Sequence, residues 1–248
     1  MKKRIVLAAA ACALVVSTGI GGTMAYLTDK TDTKVNTFTV GKVKIEVDEP
    51  TWDANKEADS KYAQNLVPNQ TVQKDPQVKN TGNNDAIVFM KVTVPVKSGI
   101  TFAGADGTKE SPSGNPEELF YLQTADKDGK TAADGNSFGS DWVELTLLEE
   151  TKTDGSDSSD GTKTYVFGYD KKLAAGTDGK DGASTSALFN QVQLKNVVEG
   201  QVDKSTQNIS IDAYAIQADY ISGVDTSADK LSADTLNQIY TVYANQTK

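Results

Sequence analysis

The stretch NTGNNDAIVFMKVTVPV, Asn80–Val96, changes its pattern twice, and those changes point to the fold. It opens on Asn-Thr-Gly-Asn-Asn, a composition that favours a tight turn over any regular element. From Ile87 to Met90 every residue is apolar, so both parities of the segment are hydrophobic. From Val92 onward the apolar residues alternate, as Val92, Val94 and Val96. A period of two is the period of a strand, and β-branched valine suits a pleated surface. Asn80–Val96 therefore reads as a turn feeding a core strand.

The same signals recur on either side. In Val35–Val47, Phe38 and Val40 share one parity while Val43, Ile45 and Val47 share the other, with Gly41 between them. A one-residue slip sends every side chain to the opposite face, so Gly41 marks either a bulge or a two-strand hairpin turn. Leu66–Gln70 reads as a turn, and Val72–Val78 as a strand interrupted at Pro76, which has no N–H for a ladder. Asn115–Leu122 has the Asn-Pro opening of a short helix. Trp142–Leu148 alternates as a strand, with Val143, Leu145 and Leu147 inward. The polar run TKTDGSDSSDGT, Thr151–Thr162, reads as a hairpin loop leading to Tyr165, Phe167 and Tyr169 on one face. Gly176–Gly182 is a second polar turn. Leu188–Val198 and Ile209–Ile221 are the last strands; the second is apolar on both faces and is expected to be central, with Tyr214, Ile216 and Tyr220 on one side. Ser232 is placed to cap a terminal helix carrying Leu236, Ile239, Tyr240 and Tyr243 at helical spacing. About eight to ten strands, long polar insertions and no βαβ alternation predict an all-β, jelly-roll-like two-sheet sandwich with one or two short helices.

The N-terminus has a different character. Lys2, Lys3 and Arg4 precede an apolar run from Ile5, and Thr23 and Ala25 form a small-x-small pair after it. That is the layout of a secretory signal peptide, with cleavage expected between Ala25 and Tyr26. As a membrane span the run would be short, about 24 Å at a rise of about 1.5 Å per residue. The expected organisation is a signal peptide over 1–25 and one β-sandwich domain over 26–248.

Composition prunes the chemistry. The chain has no His and one Cys, and both that Cys12 and the single arginine, Arg4, lie within 1–25. The remainder carries no ordinary zinc donor, no Ser-His or Cys-His pair and no disulfide. Losing three cations and no acid takes the net charge from −9 to −12. A chain so acidic and without arginine is a poor match for nucleic acid or for an anionic membrane, which leaves membrane contact to export alone. No cofactor is expected, and carboxylates without a distinctive spacing give no catalytic pair.

The segment GGTMAYLTDKTDTKVNTFTVGKVKIEV, Gly21–Val47, resembles the N-terminal signature of the TasA/camelysin family. NLVPNQTVQKDPQVKNTGNNDAIVFMKVTV and NISIDAYAIQADYI resemble its turn-strand blocks. The resemblance implies export through a SipW-type signal peptidase, a jelly-roll domain and, in fibre-forming members, self-association into biofilm matrix filaments. There the N-terminal segment of one subunit completes a sheet of the next. Here the donor strand would be Leu27, Thr28, Asp29, Lys30, Thr31, Asp32, Thr33, Lys34 and Val35. An intramolecular strand and a frayed polar tail are the bland readings of the same residues. Camelysin members have been described as metalloproteases, an activity that the missing His argues against here. Two further features each carry a sharper and a plainer reading: Asp154, Asp157 and Asp160, or Asp178 and Asp181, as calcium ligands or as solvated loops; and Trp52, Trp142 or Tyr165 as carbohydrate platforms or as core packing.

Overall fold

The computed structural model describes residues 41–246, apart from 113, 126–134, 146–149, 154–159, 178–179 and 203–204. The signal segment, the Ala25–Tyr26 junction and Leu27–Val35 lie outside the described residues.

Asn80–Val96 does what its pattern predicts. Asn80 is fully buried and organises the turn: its amide nitrogen donates to the carbonyls of Asn84 and Leu173, each at 3.0 Å, and its oxygen accepts from the Gly82 N–H at 2.9 Å. Gly82 has to be glycine, because a Cβ there would press on the backbone of Lys42 and Lys44. The chain then runs into the long strand β4, Ala86–Lys97. One parity of β4, Val88, Met90, Val92 and Val94, faces the main core, and Ile87 and Phe89 face a second cluster on the other side. Past Phe89 the second cluster ends, and Lys91, Thr93 and Pro95 are only half-buried. The change from continuous to alternating apolar sequence records where cover on the outer face stops.

Two layers form around β4. In chain order the elements are β1 (Ile45–Asp48), α1 (Pro50–Ala58), β2 (Thr71–Gln73), β3 (Gln77–Asn80), β4, β5 (Glu117–Glu118), β6 (Phe120–Gln123), β7 (Trp142–Glu144), β8 (Glu150–Thr153), β9 (Asp160–Tyr169), β10 (Gln191–Leu194), β11 (Ser210–Gln217) and α2 (Ala233–Gln246). The first layer has the order β11-β4-β9-β7, with β5 pairing β4 and β8 pairing β9. The second holds β2-β10-β6 and the β1-β3 ladder. These two ladders are joined across the Pro76 interruption, where the N–H of Leu188 donates to Pro76 O at 3.0 Å and that of Thr185 to Val78 O at 2.9 Å. All assigned ladders are antiparallel. The result is the expected all-β sandwich.

Between the layers, β9 sets Tyr165, Phe167 and Tyr169 against Val92, Met90 and their neighbours in register. On the outer face of the first layer lies α2. Ser232 Oγ accepts from the Thr235 N–H at 3.2 Å, and Leu236 and Ile239 are fully buried among Ile87, Phe89, Leu145 and Val166. Gly168 makes room for this packing, since a Cβ there would stand 3.1 Å from both Leu236 methyls.

Several expectations need correction. In Trp142–Leu148 it is Trp142 that joins the inner core, while Val143 and Leu145 pack in the outer cluster with α2. Thr151–Thr162 is not loop throughout, since its two ends belong to β8 and β9, which pair with each other. Asn115–Leu122 is not helical: it supplies β5 and β6, because Phe120 and Leu122 reach the core by alternating and pair with Leu194 and Val192. Tertiary pairing outweighs the local Asn-Pro signal. The Ile209–Ile221 strand is not central. As β11 it ends at Gln217 and, among the described residues, pairs only with β4; its inner face is half-buried and its outer face meets the second cluster only at Tyr214 and Ile216. Tyr220 lies beyond it, 97% exposed and at φ 60°, and covers nothing. Conversely, α1 carried no amphipathic signal. It buries none of its residues and is held at its N-terminus by Asp75, whose carboxylate accepts from the N–H groups of Thr51 at 3.0 Å and Trp52 at 3.1 Å. Of the Val35–Val47 reading, β1 is seen from Ile45, and residues 35–40 lie outside the described residues.

Candidate functional site

The two layers end side by side at β1 and β11. Among the described residues, β1 pairs with β3 alone and β11 with β4 alone, so each presents one free edge. A strand edge with unused N–H and C=O groups is a template for another strand. The inward residues of β11 differ from those of its neighbour: Ile211, Ala213 and Ala215 are only half-buried, whereas Val88, Met90 and Val92 on β4 are fully enclosed. The core is thus thinly covered along this seam. A cleft of about 320 Å³ opens there, lined by Val47, Glu49, Asp53, Lys74, Ile209 and Ile211. Val47 is 42% exposed, one of the few large apolar side chains left in solvent.

The cleft has a charged wall. Lys74 Nζ stands 2.7 Å from both Glu49 carboxylate oxygens, with both side chains largely buried, and lies over the Trp52 ring at 4.9 Å. Trp52 in turn packs edge-on against Tyr62 at 5.4 Å. The pair fixes α1 beside the seam. A larger cleft of about 760 Å³ lies between the 63–68 turn and the ends of β6 and β10, lined by Leu66, Phe120, Leu194, Val197 and Val202. Among the described residues Glu199 is its only ionisable lining residue, beside the uncharged polar side chains of Gln64, Asn65, Ser205, Thr206 and Gln207.

The other sequence candidates are dispersed. Asp154, Asp157 and Asp178 lie outside the described residues, as does the side chain of Asp160, and Asp181 is paired with Lys79 at 2.6 Å. The aromatics are packed rather than displayed. Trp142 is buried and donates from Nε1 to Ser186 O at 3.0 Å. Tyr165 is buried, with its hydroxyl donating to Glu118. Sequence reasoning missed the seam itself, because an edge strand and a central one carry the same alternation.

The sequence model of the camelysin metallo-endopeptidases matches residues 1–180. The chain belongs to this TasA/camelysin family. No curated protein matches it. The family's description names a metal-dependent peptidase, so the donor set has to be tested against a catalytic zinc. Such sites hold the metal with three protein ligands, drawn mainly from His, Cys, Glu and Asp. This camelysin-family chain has no His, and its one Cys is Cys12. Among the described residues no three Asp or Glu side chains gather closely enough to hold an ion. The described residues, in a chain without His, do not fit a peptidase zinc.

Proposed function

We propose that this protein is an exported structural protein of the cell surface or extracellular matrix that joins copies of itself by strand addition. Release by a SipW-type signal peptidase between Ala25 and Tyr26 frees Leu27–Val35, and that segment adds to the β1/β11 seam of the next copy. The carrying observation is the seam: two free strand edges flank half-buried Ile211, Ala213 and Ala215. Backbone ladder bonds supply affinity in such additions, and side-chain pockets set register. A donor on one face and an acceptor on another makes a head-to-tail contact that does not close, which yields filaments.

The energetics assign a central part to one residue. Each new ladder bond contributes only about 1 kcal/mol net. Ordering the tail costs roughly 1–2 kcal/mol per residue, so the bonds alone do not offset it. Burial of apolar side chains must tip the balance, and Leu27 is the only large aliphatic residue of the donor before Val35. The family's description favours a second reading, a surface peptidase; the absence of His weighs for the structural one.

Negative-stain microscopy of the chain beginning at Tyr26 tests the proposal. Filaments are expected from this form, and none from the uncleaved chain, from a deletion of residues 26–33 or from Leu27→Asp, while thermal unfolding of the variants stays unchanged. Filaments of unchanged spacing from the deletion, or a cleaved wild type that remains monomeric at high concentration, would reject strand addition.

A further inference from the structure

At the opposite end of β9 from the Trp142 contact, a lysine points into the sandwich. Lys163 shares its parity with Tyr165 and Phe167, so it belongs to the inner face, and it pairs across the ladder with Val94. Lysine at such a position is uncommon and calls for a partner. The partner is Glu118, whose Oε1 lies 3.2 Å from Lys163 Nζ; the two side chains are 14% and 26% exposed, glutamate first. Glu118 is shared with a third group: Asn136 Nδ2 donates to its other oxygen, Oε2, at 3.2 Å. The amine and the amide thus hang on the two oxygens of one carboxylate.

The surroundings sharpen the geometry. Asn136 Oδ1 accepts from the backbone N–H of Leu122 at 2.9 Å, which polarises the amide carbonyl. Asn136 Nδ2 also donates to the Tyr165 hydroxyl at 3.2 Å, and that hydroxyl donates to Glu118 Oε1. Lys163 Nζ lies over the Tyr165 ring, 4.5 Å from its centroid, and Phe138 packs against Tyr165 and Phe167. Burial, with the Glu118 carboxylate beside it, holds the Tyr165 phenol protonated far above its ordinary range, so it remains a donor. A simple ion pair would need only Lys163 and Glu118. Here an amide is held by the same carboxylate, with a backbone donor on its oxygen and the Tyr165 hydroxyl against its nitrogen.

We propose that Lys163 and Asn136 join in an intramolecular isopeptide bond, with Glu118 carrying the protons. In a partly desolvated pair the ammonium can return a proton to the carboxylate, leaving a neutral amine beside a carboxylic acid. The Nζ lone pair attacks Asn136 Cγ, and the negative charge that develops on Oδ1 is met by the Leu122 N–H. The Cγ–Nδ2 bond then breaks. Of the three protons on the original ammonium, one stays on the new amide nitrogen, and two pass by way of Glu118 to Nδ2, which leaves as ammonium. Glu118 ends as the carboxylate it began, and no oxidant, metal or cofactor is consumed. Holding both reactants on one group replaces an encounter in solution, which is the main requirement for so slow a reaction. Asn136 lies on the solvent side of the cluster, which gives the ammonium its way out.

The bond would staple the two layers together. Lys163 belongs to the first layer; Asn136 lies along the edge of β6 in the second, where the Ser137 N–H donates to Leu122 O at 2.8 Å. Intact-mass measurement and peptide mapping of the full chain test the proposal. The wild type is expected to be lighter than its sequence by one ammonia, and its digest to yield a branched peptide linking Lys163 to Asn136. Lys163→Arg keeps the cation but not the nucleophile and is expected at full mass; Glu118→Gln, which cannot relay protons as a carboxylate does, is expected at full mass as well. Full sequence mass in the wild type, or a deficit that maps to any other residue, overturns the bond whether or not the variants fold.

Discussion

Asn80 shows how much one side chain can hold. It is fully buried, and its two donors and one acceptor all serve backbone groups: Asn84 O, Leu173 O and the Gly82 N–H. Alanine would remove all three bonds: the buried Leu173 carbonyl would keep only the Ala86 N–H at 3.0 Å, and the half-buried Gly82 N–H and Asn84 carbonyl would lose this partner. A buried backbone group without a partner costs about 1–3 kcal/mol, and relaxation of the turn would recover part of the sum. Asn80→Ala is therefore expected to destabilise the domain by about 2–4 kcal/mol. In a chain of this size, each kcal/mol shifts the melting temperature by about 2–4 °C. Asn80→Asp keeps the acceptor for Gly82 but sets a carboxylate oxygen against the Leu173 carbonyl, so it should do no better. Thermal unfolding of both variants is the measurement. A shift within error for Asn80→Ala would mean that the turn holds without its side chain.

Among the elements, α2 and α1 sit on the sandwich by different means, and the contrast has consequences. Leu236 and Ile239 of α2 complete the cluster of Ile87, Phe89, Leu145 and Val166, and Tyr240 meets Phe89 edge-on at 5.1 Å. Removing residues 233–248 should leave the inner core intact while exposing this outer face. The truncated chain is expected to keep its far-ultraviolet β signature, bind a hydrophobic dye and aggregate. A truncation that stays monomeric, binds no dye and melts at the wild-type temperature would show that α2 covers nothing of weight. The apolar residues of α2 recur at helical spacing, so its place could be read from the sequence. So could β4, the Pro76 interruption and the inward face of Tyr165, Phe167 and Tyr169, because burial patterns are written residue by residue. The helix α1 could not be, since what fixes it is Asp75, a residue outside the helix. Nor could the strands at 117–123, where Asn-Pro-Glu-Glu mimics a helix start and only distant pairing decides otherwise. The seam was hidden for a related reason. An edge is defined by the neighbour a strand lacks, and β11, apolar on both faces, reads the same at an edge as in the middle of a sheet.

At the scale of the whole molecule, composition weighs against the peptidase reading of the family. A zinc peptidase needs donors that bind the metal and a base that activates water, brought together in one cleft. This chain has 34 acids and no His, and the clefts of the described residues gather few carboxylates: Glu49 and Asp53 at the seam, with Glu49 already bound to Lys74, and Glu199 in the larger one. Carboxylates alone suit calcium or magnesium better than zinc, and those ions do not supply the water activation on which such peptidases rely. Purified protein is therefore expected to show no hydrolysis of a denatured protein substrate above that of a mock preparation, with or without added zinc. A chelator should change neither this result nor the melting temperature. Hydrolysis that copurifies with the chain through successive columns, disappears with chelator and returns with zinc would overturn this expectation. It would also require a ligand set formed from carboxylates outside the described residues, and would return the peptidase reading to first place.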